Sequence, residues 1–153
     1  MSPSIVFTTT PLHEALQYLS VAMERAESVW PRGEITEFEG AKIRERTILG
    51  KLVGHVKEGK HYTVIGLPTR YASVQALPRV LQVVQVDSVA DVLSFVGRHE
   101  TQLSTIGTDL EDTTELQSLV PNTRVCSLGR MQRPPIQRLH DGVPWLDTLF
   151  HRP

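Results

Sequence analysis
The sequence predicts an α/β fold, and three observations carry that expectation. Short apolar runs of strand character (SIVFTTT, HYTVIGL, RVLQVVQV, TQLSTIGT, TRVCSL) are separated by segments with helical periodicity. Around RVLQVVQV the order is strand, amphipathic helix, strand, which reads as a β–α–β unit with a right-handed crossover between parallel strands. With 153 residues, 40% hydrophobic and 22% charged, the chain has ordinary globular composition and length enough for one domain over 1–153.

Each element has its own local reason. SIVFTTT is a strand with Ile5, Val6 and Phe7 as its apolar run. Thr10 is placed to cap the following helix, with Pro11 at its first position. Leu12, Ala15, Leu16, Leu19, Ala22, Met23, Ala26 and Val29 then trace one helical face, and Pro31-Arg32-Gly33 ends it. A second helix is expected over about Glu39 to Lys57, weakened by Gly50 and Gly54. HYTVIGL and YASVQA read as two strands across Pro68-Thr69-Arg70. In the β–α–β unit, Ser88 and Asp91 form a weak capping box, and Gly97 stands where the helix should stop. A polar helix from about Glu111 to Leu119 and the strand TRVCSL continue the alternation.

Several chemistries are disfavoured. A net charge of -1 offers no electrostatic reason to expect nucleic acid or an anionic membrane. No stretch approaches the ~20 apolar residues of a membrane span, and the N-terminus lacks the basic and apolar regions of a secretory signal. The expectation is therefore cytoplasmic. Cys126, the single cysteine, excludes an internal disulfide and a cysteine-rich metal site. It lies in a predicted strand with no histidine near it in sequence, so it reads as a buried structural thiol. The six histidines (His13, His55, His61, His99, His140, His151) show no zinc spacing. GTDLEDTTEL follows a strand and enters a helix, but it lacks further glycines, and Asp109, Glu111 and Asp112 would repel phosphate.

The last thirty residues carry Arg124, Arg130, Arg133 and Arg138. Such a cluster could grip a phosphate or carboxylate, but on charge alone a solvated rim or subunit contact is the better reading. Pro134-Pro135 keeps the chain extended, Asp141-Gly142 after His140 reads as a tight turn, and Trp145 is an apolar anchor.

RVLQVVQVDSVADVLSFVGRHETQLSTIGTD followed by RVCSLGRMQRPPIQRLHDGVPWLDTLF resembles the C-terminal part of the long-chain acyl-CoA reductase family. These are the fatty acyl reductases of bacterial bioluminescence, within the aldehyde dehydrogenase superfamily. The resemblance is clear from Arg79 to Phe150 and looser from Ser2 to Val56. It implies a parallel-centred three-layer sheet like an aldehyde dehydrogenase catalytic domain, with an extended C-terminal arm from about 129 to 153. It also implies a reaction. A cysteine takes the acyl group from acyl-CoA, NADP in its reduced form delivers hydride, and aldehyde leaves. The family's nucleophile precedes a Ser-Pro and an apolar strand. In MSPSIVF that place falls at or before Met1. The acidic residue that many aldehyde dehydrogenases carry before the strand at Val80 is not evident, and Arg79 stands there instead.

The expectation that follows is a catalytic-domain segment without its N-terminal cofactor-binding half, inactive alone and not binding NADP by itself. It assigns no catalytic residue, and places Arg130, Arg133, Arg138, His140, Asp141 and Trp145 toward substrate or an interface. Its partners would be a second copy or a complementing N-terminal half, with acyl-CoA as the complete enzyme's substrate. Two alternatives stand beside it: a non-catalytic module that pairs with a full-length relative or other partner, and a small acyl-CoA or nucleotide binder.

Overall fold
Four strands form the first sheet: β1 (Ile5–Thr8), β2 (His55–Glu58), β3 (Thr63–Gly66) and β4 (Val80–Gln85), in the order β1-β4-β3-β2. β4 is central, parallel to both β1 and β3, while β2 closes the edge antiparallel to β3. The structure, a computed structural model, describes residues 5–99, 102–131 and 133, and the backbone of 139–140 and 143–144. The chain divides into two compact units, Met1–Asp91 and Val92–Pro153.

In the first unit a helix packs on each face of the sheet, as the strand alternation dictates. Val64, Leu81 and Val83 point to one face and bury Ala15 and Leu16 of α1 (Leu12–Val29), with Val6, Leu19 and Met23 around them. Ile65 and Val80 point to the other, where Ile43 and Val53 of α2 (Glu37–Val53) close over them. Val64, Ile65, Val83 and Val84 are fully buried. Each such side chain contributes about 1.5–3 kcal/mol by leaving water. The α/β class and the parallel-dominated sheet are thus as the sequence indicates.

Local chemistry moves several boundaries. Thr10 does not cap α1. The capping position is Pro11, whose side chain bonds nothing, and the exposed Leu12 N–H donates instead to Gln85 Oε1 from β4 at 2.9 Å. α2 starts earlier than expected because Thr36 and Glu39 form a reciprocal capping box, Glu39 N–H to Thr36 Oγ1 at 3.2 Å and Thr36 N–H to Glu39 Oε2 at 2.8 Å. It stops at Val53, so His55 to Lys57 belong to β2 and not to the helix. YASVQA is not a strand. Tyr71 ends a single 3-10 turn (Thr69–Tyr71), and the side chain of buried Gln82 takes both the N–H and the carbonyl of Ser73, at 3.0 and 2.7 Å. That backbone is satisfied by a side chain, leaving it no ladder to join.

α3 (Val89–Arg98) begins beside Ser88, whose N–H and hydroxyl both donate to Asp91, and it runs one residue past Gly97. The second unit holds β5 (Thr105–Thr108), α4 (Thr114–Leu119) and β6 (Arg124–Ser127), a β–α–β unit with parallel strands. Val96, Leu116 and Val120 are its core, packed by Val92, Leu93, Ile106 and Val125. Buried Thr123 donates its hydroxyl to the Leu103 carbonyl at 3.0 Å. The expected β4–β5 pair does not form: both edges of β4 are taken, by β1 and β3, and β5 pairs with β6. Farther on, β7 (Leu139–His140) and β8 (Val143–Pro144) pair antiparallel with His140 opposite Val143, on either side of the Asp-Gly step.

Candidate functional site
Three described turns lead from a strand into a helix, the places where an open α/β sheet binds phosphate groups through free amides. Here a side chain already bonds one amide at each turn. Leu12 N–H is held by Gln85 after β1, Ser88 N–H by Asp91 after β4, and Thr114 N–H by Asp112 at 2.9 Å after β5. The bonds from the Thr114 backbone and side chain hold the Asp112 carboxyl below its ordinary range, so a carboxylate sits where a phosphate would have to. The close backbone approach of a dinucleotide also needs glycines that these turns lack. The residues at these turns do not fit a nicotinamide dinucleotide.

The first unit carries an open trough of about 950 Å³ between α1 and β2. Leu12, Leu16 and Val56 line its apolar part, and His13, Glu14 and Lys57 stand along it. Charges of both signs meet there, so the trough selects no single ligand charge.

The arginines after β6 separate into two roles. Arg124, in β6, turns its guanidinium onto the chain that follows: Nη1 donates to the Met131 carbonyl at 3.0 Å, and Nη2 to the carbonyls of Arg130 and Arg133 at 2.9 and 3.3 Å. It is therefore a backbone clamp. The loop is pinned again by Leu128 N–H to the Thr108 carbonyl at 3.1 Å, by Arg130 N–H to Ser127, and by Arg133 N–H to Arg130. Gly129 supplies the left-handed residue at φ 79°. Met131 lies flat on Gly107, where a Cβ would stand 2.6 Å from its sulfur. Arg130 and Arg133 are exposed on this loop, and among the described residues neither guanidinium has an ion-pair partner. His140 falls in β7, described in backbone alone, and Arg138, Asp141 and Trp145 lie outside the described residues.

Cys126 sits in β6 opposite Gly107, half-buried, and among the described residues no histidine or carboxylate bonds its thiol. Nor does any group of three or more His, Cys, Asp or Glu among them offer a metal site. Arg79, standing where the resemblance suggests a carboxylate, is at φ 57° in the turn Leu77–Val80. Its Nε lies 3.7 Å from Glu27 and its Nη2 donates to the Trp30 carbonyl at the end of α1. Both side chains are largely buried, so Arg79 ties the start of β4 to α1. Sequence reasoning singled out Arg79 without finding Glu27, because the pair is far apart along the chain.

A mostly parallel sheet with a helix on each face, together with a β–α–β unit and a pinned basic loop, defines an α/β protein. The family model of the acyl-CoA reductases (LuxC) matches residues 1–152, and the chain belongs to that family. No curated protein matches it. No helix among the described residues is long and apolar enough to cross a membrane.

Proposed function
We propose that this chain is the catalytic-domain segment of an NADPH-dependent reductase that converts fatty acyl-CoA to aldehyde. The match over residues 1–152 carries this reading. In this reading the chain contributes the packed scaffold and the Arg130 and Arg133 loop, with Arg138, His140, Asp141 and Trp145 following it toward substrate or an interface. The nucleophilic cysteine and the dinucleotide site come from a complementing segment, since Cys126 lacks an activating base among the described residues and the strand-to-helix turns do not fit the cofactor. The test is acyl-CoA-dependent oxidation of NADPH, measured for the chain alone and after mixing with a segment that carries both missing parts. Activity restored by mixing is the expected result. Turnover by the chain alone would overturn the division of labour.

A second reading, a module that pairs with a full-length relative, is favoured by the outer helix faces. Tyr18 and Trp30 are 71% and 70% exposed at α1, and Leu52 is 77% exposed on α2. Exposed apolar area of this kind promotes association. Light scattering after size exclusion decides it, and a monodisperse monomer that ignores the relative counts against it.

A further inference from the structure
The geometry points to the loop after β6 as a phosphate grip, with Arg130 and Arg133 as its ligands and Arg124 as their positioning residue. Three carbonyls, of Arg130, Met131 and Arg133, accept from the one Arg124 guanidinium. The loop's other anchors are the Leu128–Thr108 bond and the seat of Met131 on Gly107. A loop held at so many points loses little freedom when a ligand arrives, which is the condition for a shallow charged site to bind usefully. The loop carries two exposed arginines, Arg130 and Arg133, and the planar guanidinium fork matches phosphate oxygens. Their charge has no carboxylate counterpart among the described residues. The identity of the ligand rests on the proposed function: a phosphate of the coenzyme A portion of the thioester substrate.

The experiment is a titration of the isotope-labelled full chain, followed by NMR, with coenzyme A, pantetheine and NADPH in separate arms. Coenzyme A is expected to shift the amide and guanidinium signals of residues 124–133, and pantetheine, which has no phosphate, to leave them in place. Arg130→Gln with Arg133→Gln should weaken coenzyme A binding about tenfold, as loss of charge-assisted bonds does. Arg124→Lys should weaken it too, because one ammonium cannot span three carbonyls in a fixed fork. If Arg124→Lys unfolds β5 and β6, the glutamine pair decides alone. Coenzyme A leaving the loop unshifted at millimolar concentration, pantetheine acting equally, or the glutamine pair binding as tightly would overturn the grip. NADPH binding there in place of coenzyme A would uphold the phosphate grip and overturn its assignment to the substrate. Because no turnover is read, failure of the complementation assay is a separate result.

Discussion

Gly50 and Gly40 lie in the same helix, α2, yet the same substitution should move stability in opposite directions. In both cases alanine favours the helix by about 1 kcal/mol over glycine. At Gly40 the added Cβ meets Arg44 Nη1 at 3.4 Å and Ile35 Cδ1 at 3.7 Å, ordinary contacts with side-chain tips that can yield. Gly40→Ala should therefore stabilise by about 0.5–1 kcal/mol. At Gly50 the Cβ would drive into Ile65 Cγ2 and stand 2.7 Å from Val56 Cγ2. Ile65 is fully buried in β3, and its β-branched side chain has no free rotamer to retreat into. Overpacking of this kind costs about 1–3 kcal/mol, and with two atoms struck at once the upper part of that range applies. The net expectation for Gly50→Ala is a loss of about 1–2 kcal/mol. Urea unfolding, with amide exchange in β3 reporting on the first unit, measures both variants. If Gly50→Ala stabilises as much as Gly40→Ala, the close helix–sheet approach is not what places glycine there.

Two further perturbations test the same unit. Arg79 holds a left-handed conformation that costs a non-glycine residue about 1–2 kcal/mol. Arg79→Gly and Arg79→Ala both lose the contacts to Glu27 and Trp30, but only glycine sheds the strain, so glycine should be the milder by about 1 kcal/mol. Alanine proving equal or milder would show that the strain is absent. Glu39 has its carboxyl held below the usual 4.5 by hydrogen bonds from the Thr36 backbone and side chain. A lowered folded-state value means stability present above pH about 4.5 and lost as pH falls through the folded value. Glu39→Gln keeps a capping geometry without the titration, so it should flatten that acid-side decline. An unchanged acid profile would remove Glu39 from the account.

Much of the fold is legible because it is local. The periodicity of Leu12 to Val29 places α1, and the all-apolar Val80, Leu81, Val83 and Val84 mark a strand buried on both faces. The capping box at Thr36 was also legible, as a Thr-x-x-Glu step, and would have set the start of α2 correctly. Strand partners are another matter. The β–α–β order at Arg79 to Thr108 suggests pairing of neighbours, but β1 and β3, from earlier in the chain, hold both edges of β4. YASVQA has strand composition, yet the backbone of its Ser73 bonds the side chain of Gln82 and not a neighbouring strand.

The candidate site divides along the same line. By itself the sequence determined the α/β class, the inward face of α1 from Leu12 to Met23, the concentration of arginine near the C-terminus, and the acidic approach to α4, where Asp112 takes the Thr114 N–H. Those follow from residue type and spacing, which short-range sterics and charge convert directly into local structure. The inward face of α2 was not among them, since Ile48 and Leu52 are exposed. Only the tertiary structure decided that Gly50 and Gly54 permit close packing, with a Cβ at Gly54 running into the Gly66 carbonyl, where sequence reading saw only helix weakness. It alone separated Arg124, spent on three carbonyls, from Arg130 and Arg133, which are exposed. Four arginines are alike in sequence because charge is a property of the residue. Whether that charge is engaged is a property of the folded backbone around it.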